Sequence, residues 1–124
     1  MVLGTLTALE TLVLDDNALS KLPNSIGDLV LLKKLCLDEN ELSLVPASMR
    51  RLTALTLLDL SKNCLKSLPL KLGCMVGLEE LHCYNNELTC IPESIESCTN
   101  LHTLTFGRYK RTNTDAEAGT KSKN

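Results

Sequence analysis

The four prolines of this 124-residue chain, Pro23, Pro46, Pro69 and Pro92, stand 23 residues apart, which makes the chain a tandem repeat. Shifting the sequence by that step aligns Leu9-Glu-Thr-Leu12-Val-Leu14-Asp-Asp-Asn17 with Leu32-Lys-Lys-Leu35-Cys-Leu37-Asp-Glu-Asn40. The same step continues through Leu55-Thr-Leu-Leu58-Asp-Leu60-Ser-Lys-Asn63 and Leu78-Glu-Glu-Leu81-His-Cys83-Tyr-Asn-Asn86. A period of this length describes one supersecondary unit that cannot bury its apolar face alone and must stack on its neighbours.

With repeats starting at Leu9, Leu32, Leu55 and Leu78, positions 1, 4, 6, 11, 14, 18 and 21 are apolar almost throughout. Alternation of two around positions 3 to 7 predicts a parallel strand, with positions 4 and 6 inward and positions 3, 5 and 7 outward. The asparagine of position 9 ends the strand. Its amide donates and accepts together, so Asn17, Asn40, Asn63 and Asn86 are expected to form a structural ladder serving backbone groups of adjacent turns. Proline at position 15 has no N–H and a fixed φ, which suits the start of a helical turn and not a central strand. Apolar residues three apart follow it in Pro23–Leu29, Pro46–Leu52 and Pro92–Cys98, predicting short helical turns with one buried face.

The pattern LxxLxLxxNxLxxLPxxIgxLxx from Leu9 to Asn100 resembles the 23-residue intracellular LPxxIG class of leucine-rich repeats. It is similar to the Ras suppressor, the scribble and erbin-type scaffolds and the plant intracellular Ras-group repeat proteins. The resemblance implies an α/β fold: a right-handed horseshoe solenoid with a parallel concave β-sheet and short helical turns on its convex side. It also implies a non-enzymatic protein-binding module in signalling. The sequence departs from the pattern at Cys83, Met75, Cys98, Arg50 and Glu96, where packing and local turns should change.

The domain expectation is a solenoid over 1–106, with full repeats 9–31, 32–54, 55–77 and 78–100 and partial repeats 1–8 and 101–106. Val2–Ala8 matches the second half of a repeat, and Leu101–Phe106 begins a fifth strand with Tyr109 where asparagine is due. A piece of a longer solenoid or a truncated product is therefore expected. Residues 107–124, nearly without apolar side chains, are expected to be a disordered basic tail.

Charge and composition narrow the function. The formal net charge is −2, with the tail 107–124 net basic and the repeats net acidic, so the repeats lack a nucleic-acid footprint. The N-terminus has no basic region ahead of a signal-length apolar run, and acidic residues interrupt every candidate membrane span. Six cysteines scattered over unlike repeat positions fit free thiols in a reducing compartment better than a disulfide framework. A cytoplasmic site, with the nucleus as the other option, is the expectation.

Outward positions of adjacent strands repeat every ~4.8 Å, so they make columns on the concave face. Position 3 supplies Thr11, Lys34, Leu57 and Glu80; position 5 supplies Val13, Cys36, Asp59 and His82; position 7 supplies Asp15, Asp38, Ser61 and Tyr84. With Glu39 of position 8, these are the candidate partner-binding residues. Asp15, Asp16, Asp38 and Glu39 would steer a basic segment of a protein partner, against the plainer account of a solvated strand edge. Leu57, His82 and Tyr84 are candidate anchors, although single exposed apolar groups are ordinary on any surface.

Cys36, Asp59 and His82 share one column, but Asp59 separates the other two by ~10 Å of sheet, so no catalytic residue is assigned. A flat sheet is a poor zinc site, and Lys33 and Lys34 oppose calcium at the acidic cluster; no metal and no cofactor is expected. The alternatives to a scaffold or adaptor are the recognition arm of a larger signalling enzyme or receptor, or a truncated product without independent function. The partner's identity and the oligomeric state stay open at the level of sequence.

Overall fold

In a computed structural model of the chain, residues 5–108 and 120–122 are described. Five short strands, β1 (Thr11–Val13), β2 (Lys34–Cys36), β3 (Leu57–Asp59), β4 (Glu80–His82) and β5 (Thr103–Thr105), lie side by side in chain order and pair in parallel. Each is offset from the next by one repeat, so Leu12, Leu35, Leu58, Leu81 and Leu104 form one continuous row. The chain returns between strands through 3-10 turns at Asn24–Asp28, Ala47–Arg51, Leu72–Cys74 and Glu93–Ser97. This is the α/β repeat solenoid that the periodicity predicts.

The regular strands cover three residues each, shorter than the five positions of the alternating pattern. Cross-strand bonds nevertheless run on to position 8: Asp16, Glu39 and Lys62 donate their N–H groups to the carbonyls of Asp38, Ser61 and Tyr84 at 2.8, 3.1 and 2.8 Å. At position 8 the chain turns. Asp16, Glu39, Lys62 and Asn85 have φ values of 56, 58, 57 and 55°, in the left-handed region that costs an ordinary residue about 1–2 kcal/mol.

Proline anchors the return path through its carbonyl. The oxygens of Pro23, Pro46, Pro69 and Pro92 accept from the N–H groups of Ile26, Met49, Leu72 and Ile95 at 3.0 to 3.1 Å, closing each 3-10 turn. The core lies between sheet and turns. Leu32, Leu35, Leu37, Leu42, Leu52, Leu55, Leu58, Leu60, Leu65, Leu78 and Leu81 are fully buried, whereas Leu9, Leu12, Leu14 and Leu19 at one end, and Leu88, Ile91, Leu104 and Phe106 at the other, are partly buried. Cys83 and Cys98 fill leucine positions in this core, and all six cysteines are free.

The outer turns pack in pairs. A Cβ added to Gly27 would meet the Ser48 carbonyl oxygen of the next repeat, and one added to Gly73 would meet that of Ser94. The serines close these junctions: Ser48 Oγ donates to the Asn24 carbonyl at 2.6 Å, and Ser94 Oγ to the Leu70 carbonyl at 2.7 Å. At the middle junction, between the second and third repeats, Arg50 takes the glycine's place and Lys71 the serine's. The turns Ala47–Arg51 and Leu72–Cys74 accordingly meet less extensively than the turns of the other two junctions.

Within the stretch expected to be a basic tail, Thr120–Ser122 forms a sixth strand, β6, antiparallel to β5 with Thr103 opposite Ser122 and Thr105 opposite Thr120. The backbone groups on the outer side of β5 offer a template for pairing, a pull that composition does not express. The remainder of the expected tail, 109–119 and 123–124, lies outside the described residues.

Candidate functional site on the concave sheet

The parallel register sets the outward side chains in rows. Thr11, Lys34, Leu57, Glu80 and Thr103 are partners across the sheet, as are Val13, Cys36, Asp59, His82 and Thr105. Continuation of the ladder brings Asp15, Asp38, Ser61, Tyr84 and Gly107 into a third row.

Exposure along these rows is uneven. Thr11, Val13, Asp15, Lys34 and Glu39 are exposed; Asp38, Leu57, Asp59, Glu80, His82 and Tyr84 are half-buried. Cys36, Ser61 and Thr105 are outward in register yet buried, at 9, 0 and 6 % exposure. Alternation assigns a side chain to a face, and the neighbours ~4.8 Å away on either side decide how much water reaches it.

Two carboxylates are fixed by the backbone. Asp15 Oδ1 accepts from the Asp38 N–H at 2.7 Å, and Asp59 Oδ1 accepts from the Ser61 N–H at 3.0 Å. Asp38 lies beside both, and its Oδ1 is buried without a hydrogen-bond partner, as is the Oγ of Ser61. Burial foremost, and then the negative charge of Asp59, hold the Asp38 carboxyl above the usual range, with Lys62 opposing and Glu39 and Asp15 adding to the shift. The Cys36 thiol is pushed up by burial and then by Asp15, with Lys34 opposing and Asp59 and Asp38 contributing. A thiol moved in that direction is the opposite of an activated nucleophile.

His82 is held within the sheet: Nδ1 lies 3.1 Å from Thr105 Oγ1 and Nε2 lies 3.3 Å from Glu80 Oε1. Lys62 Nζ reaches Glu39 Oε1 at 3.4 Å and stands 5.9 Å from the centre of the Tyr84 ring. Tyr84 and Asp38 raise the Lys62 pKa further. Among the described residues, no cluster of three or more His, Cys, Asp or Glu is placed to hold a metal ion, and no helix is long and apolar enough to cross a membrane.

Behind the face, the asparagine amides join successive repeats. Asn40 Oδ1 accepts from the N–H groups of Asn17 and Leu19 at 3.0 and 2.9 Å, while its Nδ2 donates to the Leu14 and Leu37 carbonyls at 2.9 and 3.0 Å. Asn63 accepts from Leu42 N–H at 3.0 Å, and Asn86 from Leu65 N–H at 2.9 Å. The Asn17 side chain is exposed, and its Nδ2 donates to the nearby Asp15 carbonyl at 2.9 Å. Sequence reasoning missed Thr105 as the partner of His82 and the burial of Ser61. Continued by one repeat, the outward columns reach both residues, but they carry no measure of crowding.

A family model described as a leucine-rich repeat region matches residues 1–121. A search of the curated proteins finds no match. Among solved structures, a leucine-rich-repeat protein of Leptospira interrogans shares 31 % identity at a TM-score of 0.78, over 86 % of this chain and 29 % of that one. The ectodomain of the plant receptor kinase GASSHO1/SCHENGEN3 from Arabidopsis thaliana, in complex with CASPARIAN STRIP INTEGRITY FACTOR 2, shares 31 % at 0.74, over 84 % of this chain and 13 % of that one. An internalin of Listeria monocytogenes shares 25 % at 0.74, over 87 % and 32 %. The chain thus spans a third or less of the length of each of these proteins. The fold they share is typically a non-enzymatic protein–protein interaction module. The 23-residue period, the parallel sheet and the family match agree, and the chain belongs to the leucine-rich-repeat family.

Proposed function

We propose that this chain is a protein-binding module of the 23-residue intracellular class, docking a protein partner across the concave sheet as part of a signalling scaffold or adaptor. The observation that carries this reading is the unbroken surface of five strands, on which half-buried Leu57, His82 and Tyr84 stand beside the carboxylates of Asp15, Asp38 and Asp59 from two adjacent rows. Apolar anchors within a polar surround are the usual distribution of binding energy at an interface. The acidic cluster favours a partner with a basic segment. Catalysis and cofactors have no part in this function. Three exposed free thiols, Cys64, Cys74 and Cys90, suit a reducing compartment such as the cytoplasm.

A second reading, the recognition arm of a larger enzyme or receptor, has support from one observation. The chain matches 13 % of the receptor-kinase ectodomain it resembles. Both readings use the same face and differ in what else the protein carries.

The test is affinity capture with three matched variants of the chain, Leu57→Ala, Tyr84→Ala and Leu70→Ala, the last on the side of the 3-10 turns where Leu70 is 85 % exposed. Loss of a captured protein with the first two and retention with the third is expected. Loss with Leu70→Ala alone overturns the concave reading.

A further inference from the structure

The strongest uncompensated feature of the sheet lies at its second and third strands. Asp38 Oδ1 and Ser61 Oγ are buried side-chain atoms without a hydrogen-bond partner, and they belong to neighbouring members of one outward row. A buried polar group without a partner is costly and calls for an explanation. Ser61 is fully buried, and its own N–H is already engaged with Asp59 Oδ1. Asp15 and Asp59 flank Asp38, each held by a backbone N–H. Lys62, the cation that bears on Asp38, pairs with Glu39 and leans toward the Tyr84 ring.

We propose that this part of the concave face reads one arginine side chain of a protein partner, with its guanidinium paired to Asp38, flanked by Asp15 and Asp59, and donating to Ser61 Oγ. The proposal rests on the concave-face reading above and adds to it the residue that is read. Arginine fits better than lysine for two reasons. The acceptors lie on adjacent strands ~4.8 Å apart, a span that a planar fork with five donors covers and a compact ammonium does not. Guanidinium is also more weakly hydrated, so it is moved into a half-buried site at lower cost. The donor set does not fit a metal, because among the described residues no three such ligands converge. Burial first, and then the negative charge of Asp59, raise the Asp38 pKa despite Lys62, which agrees with a carboxylate that a further cation would relieve.

The experiment uses the 124-residue chain, labelled with nitrogen-15, and three neutral-backbone probes: N-acetyl-arginine amide, N-acetyl-lysine amide and its uncharged analogue N-acetyl-citrulline amide. Saturable shifts of the Asp38, Asp59 and Ser61 amide signals with the arginine probe are expected, weaker with lysine and absent with citrulline. Asp38→Asn should weaken the arginine response by roughly tenfold or more. Glu96→Gln, which removes an equal charge from an exposed position in the turn Glu93–Ser97, should leave it nearly unchanged. Ser61→Ala gives an independent check, since it should weaken arginine binding without altering net charge.

Equal responses to arginine and lysine, equal losses in the Asp38 and Glu96 variants, or no response at all would overturn the proposal. If the probes are silent while Leu57→Ala and Tyr84→Ala still abolish partner capture, only the arginine site falls and the docking face stands.

Discussion

The side-chain amide of Asn63 donates to the Leu37 carbonyl of the preceding repeat at 3.0 Å. The same nitrogen donates to Leu60 at 3.0 Å, while Oδ1 accepts from Leu42 N–H at 3.0 Å. One buried side chain therefore serves backbone groups of two turns. Asn63→Ala leaves these groups unpaired at ~1–3 kcal/mol each, so a loss of about 3 kcal/mol or more is expected in urea denaturation. Asn17→Ala, at the exposed end of the series, should cost no more than ~1 kcal/mol. Similar losses at the two positions would contradict this role.

Why this device could be read from sequence, and others could not, has a physical explanation. A polar residue recurring at one place in an apolar pattern must satisfy backbone, so Asn40, Asn63 and Asn86 declare themselves. The left-handed turn at position 8 has no such signature, because its occupants run from the acids Asp16 and Glu39 to the cation Lys62, and Glu39 and Lys62 are not residues that favour that conformation. Burial of Cys36 and Ser61 was hidden as well, since alternation fixes a face and not the crowding upon it. The Gly27–Ser48 and Gly73–Ser94 contacts repeat every two units, a period that the comparison of single repeats averages away.

Those contacts lead to the next expectation. Gly73→Ala would push a methyl group into the Ser94 carbonyl, where Ser94 Oγ also accepts from Gly73 N–H at 3.0 Å. Overpacking of this kind costs ~1–3 kcal/mol. Arg50→Ala, at the equivalent place in the second repeat and exposed, should fall within ~0.5 kcal/mol of the parent. Thermal denaturation of the two variants side by side measures the contrast.

Thiol reactivity should divide the cysteines into two classes. Cys64, Cys74 and Cys90 are exposed, whereas Cys36, Cys83 and Cys98 are buried. Burial, with a smaller contribution from Asp59, pushes the Cys83 thiol up to about 12, and its Sγ donates to the Thr105 carbonyl at 3.1 Å. A disulfide reagent at neutral pH should titrate three thiols in the folded protein and six in denaturant. Rapid labelling of Cys83 in the folded state, located by mass spectrometry, would contradict the packing described.

Asp38 should show a pH-dependent cost. Its folded pKa lies above the unfolded value of 3.8, so its protonated form is favoured by folding. That contribution is present below the unfolded pKa and is lost as pH rises through the folded one. At neutral pH the ionised carboxylate therefore works against stability. Asp38→Asn should raise the melting temperature at pH ~7, with the gain shrinking as pH falls through the folded pKa and gone below ~4. An unchanged melting temperature at neutral pH, or a gain confined to acid, would contradict this assignment.

Site-specific photo-crosslinking most directly tests whether the concave sheet is the docking surface. A benzophenone side chain placed at Leu57, half-buried at the middle of the sheet, is compared with one at Leu70 on the side of the turns. Crosslinks to a partner protein from position 57, suppressed by Tyr84→Ala and absent from position 70, are predicted. Crosslinking from position 70 with none from position 57 would place the partner on the opposite face and contradict the account.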